Sequence, residues 1–119
     1  MNKLFEEYFG IVGLNNNYKT INKYLFEDKT KLLKPDFIEN NEIYDTKWKI
    51  INSFNDVSES DLYQMLAYAV KFDVNKVNLV YPFYEIDFLP SKYVNICDKK
   101  VEFSFLFYDL KKDNFANRI

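Results

Sequence analysis

The sequence predicts an α/β domain in which a mixed β-sheet is covered by helices. Three observations carry that expectation. Apolar residues fall on one helical arc near the N-terminus, and again from Ser58 to about Phe72. Val77-Asn78-Leu79-Val80-Tyr81 is a compact strand closed by Pro82. Val101 to Leu110 alternates around Phe103, Phe105 and Phe107, which reads as a strand at a sheet edge. Helices and strands mixed within 119 residues imply one domain with a sheet covered on at least one face.

Taken in order, Asn2 to about Val12 reads as a helix, with Leu4, Phe5, Tyr8, Phe9 and Val12 on one arc and Glu6 and Glu7 flanking it. Asn15-Asn16-Asn17 reads as a turn. From Tyr18 to Phe26, Ile21, Tyr24, Leu25 and Phe26 sit among Lys and Asn, so strand and short helix both stay open. Lys34 to Glu39 and Glu42 to Ile50 read as two strands joined at Asn40-Asn41, because Asn tolerates the positive φ of a tight hairpin turn. Ser58-Glu59-Ser60-Asp61 resembles a capping box opening the second helix, whose apolar stripe is Leu62, Met65, Leu66 and Ala69. The strand from Val77 follows a helical crossover and so can pair parallel to an earlier strand.

Composition narrows the chemistry. The chain has no histidine, which excludes histidine-dependent serine, cysteine and HNH-type hydrolysis and His-liganded zinc. Any catalysis must rest on carboxylates, lysine and tyrosine. The only cysteine, Cys97, cannot form an intramolecular disulfide, and a reducing, cytoplasmic setting is expected. No apolar run approaches about 20 residues, and the first residues read as an amphipathic helix and not as a signal peptide. Twelve Phe, ten Tyr and one Trp supply a core; Trp48 and Cys97 are expected to belong to it. A net charge of −2 gives no basic face by itself.

One constellation stands out. Pro35-Asp36 is followed, eight residues later, by Asp45-Thr46-Lys47, and then by Gln64 and Tyr68. On an extended strand Asp45 and Lys47 share a face, roughly 7 Å apart along the chain. The hairpin brings Asp36 alongside. Two adjacent carboxylates repel as anions, and such a pair suits a hard divalent cation; Mg²⁺ binds through one or two carboxylates plus substrate phosphate. Lys47 can hold an attacking water or offset charge on a phosphate, and the Thr46 carbonyl can add a metal ligand. Gln64 and Tyr68, four apart, stack on one helix face with Asp61 one turn before Gln64, and that face can look onto the strand carrying Asp45.

These residues resemble the PD-(D/E)XK nuclease motif, and Gln64-Met65-Leu66-Ala67-Tyr68 resembles the Q-x-x-x-Y motif of its RecB-like branch. Leu4-Phe5-Glu6-Glu7-Tyr8, Leu33-Lys34-Pro35-Asp36, Tyr44-Asp45-Thr46-Lys47-Trp48-Lys49, Asp61-Leu62-Tyr63-Gln64 with Ala67-Tyr68-Ala69, and Leu79-Val80-Tyr81-Pro82 resemble the nuclease half of the McrC family. That family supplies the nuclease subunits of McrBC modification-dependent restriction systems. The resemblance covers nearly the whole chain and is weakest before Leu33 and after Tyr93.

The resemblance implies a restriction-endonuclease-like fold with an αβββαβ core and a Mg²⁺-dependent DNA endonuclease, with Mn²⁺ as a substitute metal. It further implies a partner McrB-like GTPase motor that recognises methylated DNA. Asp36, Asp45 and Lys47 carry over as the catalytic triple, Gln64 and Tyr68 as motif residues, and Glu6 as a first-helix acid that touches metal or water. McrC also has an N-terminal portion that engages the motor, and the resemblance here begins at the nuclease half.

Two other readings stay open. One is another RecB-like nuclease of repair or recombination, without an iron–sulfur cluster because one cysteine cannot hold it. The other is a truncated interaction module that keeps the fold and cleaves nothing. Taken singly, Pro-Asp is usually a turn, Asp-x-Lys a solvated strand face, Tyr68 and Gln64 structural helix residues, and Glu6 a solvated acid.

Overall fold

The computed structural model describes residues 2–116. Asn2 caps helix α1 (Lys3–Tyr8) by accepting the Phe5 N–H at 2.9 Å. The helix expected to reach Val12 is α-helical only to Tyr8. It then widens into a π-helical turn, Phe9–Gly13, closed by the Leu14 N–H on the Phe9 carbonyl at 3.0 Å. Both glycines sit against rings: a Cβ on Gly10 would lie 2.7 Å from the Phe37 ring, and one on Gly13 2.6 Å from the Phe9 ring. Phe5 and Phe9 are buried, whereas Leu4, on the same predicted arc, is exposed.

Asn15 and Asn16 take positive φ, as expected of the Asn turn. The ambiguous stretch after Tyr18 holds a two-residue strand, β1 (Lys23–Tyr24), paired antiparallel with β2 (Leu32–Leu33). The predicted strand from Lys34 is therefore shorter. Pro35 has no N–H to give a ladder, and β3 spans Phe37–Glu39. Asn40 and Asn41 have φ of 52° and 61°, the type I′ signature, and lead into β4 (Glu42–Thr46). β4 ends well before the predicted Ile50. The Lys47 N–H still reaches the Val80 carbonyl at 2.8 Å, after which the Lys49 N–H folds back onto the Lys47 carbonyl at 3.0 Å.

Helix α2 (Glu59–Lys71) starts at Ser58, whose side chain accepts the Asp61 N–H. Met65 and Ala69 are buried and Leu62 and Leu66 pack partly buried beside them, as the apolar stripe requires. β5 (Lys76–Pro82) returns parallel to β4, with Asp45 opposite Leu79. β6 (Leu89–Ile96) and β7 (Lys99–Asp109) form a hairpin, and β8 (Asn114–Phe115) adds to β7.

The sheet order is β3-β4-β5-β7-β6, with β8 on β7. The strand around Phe103–Phe107, predicted at an edge, is instead interior: it runs parallel to β5 and antiparallel to β6. The outer position goes to β6, whose Pro90 and mixed polar residues give a weak strand pattern but suit an edge. Cys97 is exposed and not in the core, because Cys97-Asp98, with φ of 51° and 61°, is the tight turn joining β6 to β7.

Alternation distributes side chains to two cores. Ile43, Val77, Leu79, Tyr81, Phe103 and Phe105 pack with α2. Phe37, Val80 and Tyr108 pack with Phe5 and Phe9 of the N-terminal helical segment on the opposite face. This six-stranded mixed sheet with helices packed against it is consistent with the restriction-endonuclease-like fold. Among the described residues no helix is long and apolar enough to cross a membrane.

Candidate functional site

The β3–β4 hairpin sets the first two acids. Asp36 stands just ahead of β3, and its Oδ2 accepts both the Thr46 N–H and the Thr46 hydroxyl at 2.8 Å. In return the Asp36 N–H donates to Asp45 Oδ1 at 3.1 Å. Asp45 and Thr46 are buried on the last turn of the strand pattern, 1% and 0% exposed. Thr46 therefore orients Asp36 through its own N–H and hydroxyl.

Lys47 is also buried, and it ties the hairpin to α2. Its Nζ lies 2.7 Å from Asp45 Oδ2 and donates to Gln64 Oε1 at 2.6 Å. Asp45 Oδ2 thus has the Lys47 ammonium as its ion-pair partner, which offsets part of the cost of burying its charge. This pairing of strand and helix follows from alternation, since Asp45 lies on the same face as Ile43, which packs with α2. Gln64 also hydrogen-bonds Tyr68, which is buried one turn further along.

Burial raises the proton affinity of this group. Desolvation, then the charge of Asp36, pushes Asp45 up to about 7 against the opposing pull of Lys47. Asp36 is raised by burial too, with the Thr46 bonds opposing. Burial and the two carboxylates raise the Tyr68 hydroxyl as well.

Asp36, Asp45, Lys47, Gln64 and Tyr68 thus converge. Glu6 stands near enough for the charge of Asp36 to help raise its pKa, after burial, but its carboxylate pairs with Lys3 at 3.6 Å. Among the described residues no three carboxylate or thiol groups cluster as a complete metal-ligand set. What the site offers is a pair of adjacent carboxylates, Asp45 buried and Asp36 half-buried, with the Lys47 ammonium against one of them. That fits a hard cation whose remaining positions go to water and phosphate.

Asp61 has a larger part than its sequence pattern showed. It is buried at the start of α2, pairs with Lys49 at 2.7 Å and lies 3.7 Å from Lys47 Nζ. Its place one turn before Gln64 was the available signal; its double pairing depends on how α2 docks. Trp48, by contrast, is exposed, because β4 has ended and the ring lies against Phe5 with centroids 5.3 Å apart.

Over residues 1–82 the sequence matches the family model described as McrBC 5-methylcytosine restriction system component. Among curated proteins none matches the chain. The matched stretch holds all of the site residues and ends with β5; β6 to β8 lie beyond it.

Proposed function

Because the chain belongs to the McrBC family of 5-methylcytosine restriction system components, we propose that this site hydrolyses DNA phosphodiester bonds with a divalent cation held by Asp36 and Asp45. The setting is restriction of methylcytosine-containing foreign DNA, with an McrB-like GTPase motor as partner. The observation that carries the reading is the acid pair itself: Asp45 is buried beside the half-buried Asp36 carboxylate, with only the Lys47 ammonium, 2.7 Å from Asp45 Oδ2, set against that charge. A carboxylate pair raised in pKa by desolvation and mutual repulsion is costly to the fold, and a cation would relieve it.

Mg²⁺ bound there, or Mn²⁺ in its place, would supply Lewis-acid stabilisation of the phosphate and activation of water. The rest falls to the chain's own side chains. Thr46 holds Asp36 in register through two donors. Lys47 presents a cation where negative charge grows in phosphoryl transfer, and Gln64 fixes its ammonium against α2. Tyr68 backs Gln64 from within the core. Glu6 and the Thr46 carbonyl are the reserve ligands; Glu6 would first have to leave Lys3.

The test is cleavage of methylated plasmid DNA with Mg²⁺ or Mn²⁺, by the chain alone and with an McrB-like motor and GTP. Wild type should nick or cut in at least one combination, and Asp45→Asn in none. Absence of cleavage in every combination removes the enzyme reading, and cleavage that survives Asp45→Asn removes the site.

A further inference from the structure

The parallel strands β4, β5 and β7 all end on the same side of the sheet. Beyond their C-terminal ends lies a cleft of about 660 Å³ lined in part by Trp48, Lys49, Phe83, Tyr84, Asp109 and Lys111. Crevices at the carboxyl ends of parallel strands are where open α/β sheets hold ligands, and this volume is in the range of such sites. Three of these residues are aromatic and exposed, Trp48 at 49% and Tyr84 at 60%. Large rings left open to water in a cleft cost the fold hydrophobic burial and favour a partner with an apolar face.

Lys49 links the cleft to the proposed catalytic group by an ion-pair relay. That residue lines the cleft, yet its Nζ is 2.7 Å from Asp61 Oδ2, while Asp61 Oδ1 is 3.7 Å from the Lys47 ammonium. Trp48 follows Lys47 directly in sequence. Lys111 brings positive charge to the rim, beside Lys49 whose ammonium is shared with Asp61, and this suits a phosphodiester chain. The Asp109 carboxylate, which accepts the Lys111 N–H at 2.9 Å, is the polar group at the far side.

We infer that this aromatic cleft binds an unstacked nucleobase of a DNA strand, next to the phosphate held at Asp45 and Lys47. The inference rests on the nuclease reading for its second half only. Base stacking on rings flanked by cations is a general, sequence-tolerant mode of single-strand binding, so the cleft would read the strand's conformation and not its sequence.

Trp48 is the only tryptophan, so its emission reports the cleft directly. The experiment titrates the full chain with a short oligothymidylate at low salt in Ca²⁺, following Trp48 fluorescence, with inorganic phosphate as the base-free probe. Saturable quenching by the oligonucleotide and none by phosphate is expected. Tyr84→Ala, at an exposed position, should weaken it about 5- to 100-fold, the usual worth of one stacking ring. Tyr24→Ala, on β1, should leave it unchanged. No quenching, equal quenching by phosphate, or an unaltered Tyr84→Ala titration overturns the inference. Quenching by an McrB-like motor subunit with none by the oligonucleotide also overturns it, in favour of a protein-docking surface. The plasmid assay separates the two readings. Cleavage without quenching leaves the nuclease and removes the cleft. Quenching without cleavage, retained in Asp45→Asn, leaves the cleft and removes the nuclease.

Discussion

Asp36 and Asp45 hold each other across the β3–β4 hairpin: the Asp36 N–H donates to Asp45 Oδ1 at 3.1 Å, and the Asp36 carboxylate accepts twice from Thr46, the residue after Asp45. Two like charges are thus kept together by hydrogen bonds that neither can leave without breaking the hairpin. Holding two acids this close costs stability, and under the proposed reading a bound cation would offset that cost.

That cost has a pH signature. Asp45 is raised from 3.8 to about 7, chiefly by burial and then by Asp36. A carboxyl raised in the folded state binds protons that the unfolded chain has already released. Its stabilising contribution is therefore fully present below about pH 4 and is lost as pH rises through about 7. Asp36, also raised, acts in the same direction. Thermal melts in EDTA should show Tm falling across that window, and Asp45→Asn should flatten the fall. Mg²⁺ or Mn²⁺ should flatten it in the wild type, since a bound cation favours the ionised pair.

Asp45→Asn keeps the shape and removes one of the two repelling charges. Above pH 7 in EDTA it should stabilise the fold by about 1 kcal/mol, measured by urea denaturation, while abolishing cleavage. A stability gain joined to loss of activity separates a functional carboxylate from a structural one.

Lys47→Met removes the ammonium and keeps the unbranched stem. Cleavage should fall by about 100-fold or more, as for loss of a group that stabilises transition-state charge. Metal binding, followed by calorimetry with Mn²⁺, should persist or tighten, because Asp45 Oδ2 loses its competing cation at 2.7 Å.

Gly10→Ala tests the π-helical turn. The new Cβ would meet the Phe37 ring at 2.7 Å, and that ring is itself held by Tyr18 and Phe9, with centroids 4.5 and 5.9 Å away. A loss of about 1–3 kcal/mol in chemical denaturation is expected from overpacking. Gly13→Ala should behave alike, through Phe9.

Asn41→Val tests the hairpin. Asn41 has φ of 61°, which costs a β-branched residue roughly 1–2 kcal/mol. Because Asp36 and Asp45 flank this hairpin, the variant should also weaken Mn²⁺ binding, whereas Asn41→Gly should leave both unchanged.

Local chemistry made much of this legible in the sequence. The Asn40-Asn41 turn, the Ser58 cap and the apolar stripe of α2 rest on contacts within a few residues, so they could be read without the fold. The same holds for the alternation that put Asp45 and Lys47 on one face, and for the spacing of Gln64 and Tyr68. What could not be read depends on contacts between distant segments. Phe103, Phe105 and Phe107 alternate equally well in an edge or an interior strand; only the pairing with β5 and β6 put β7 inside. Trp48 and Cys97 are apolar residues whose exposure was decided by where β4 stops and where β6 turns.

The sequence by itself determined which residue types are present for chemistry, with no histidine and with two acids and a lysine at strand spacing, and it determined the turns and helix that carry them. Tertiary structure alone decided that Asp61 stands between Lys47 and Lys49, that Gln64 grips the lysine, and that a ring-lined cleft opens beside them. The reason is range. Backbone preferences act over a few residues, whereas burial, ion pairing and a shared cleft require segments brought together by the sheet, and no local pattern encodes that meeting.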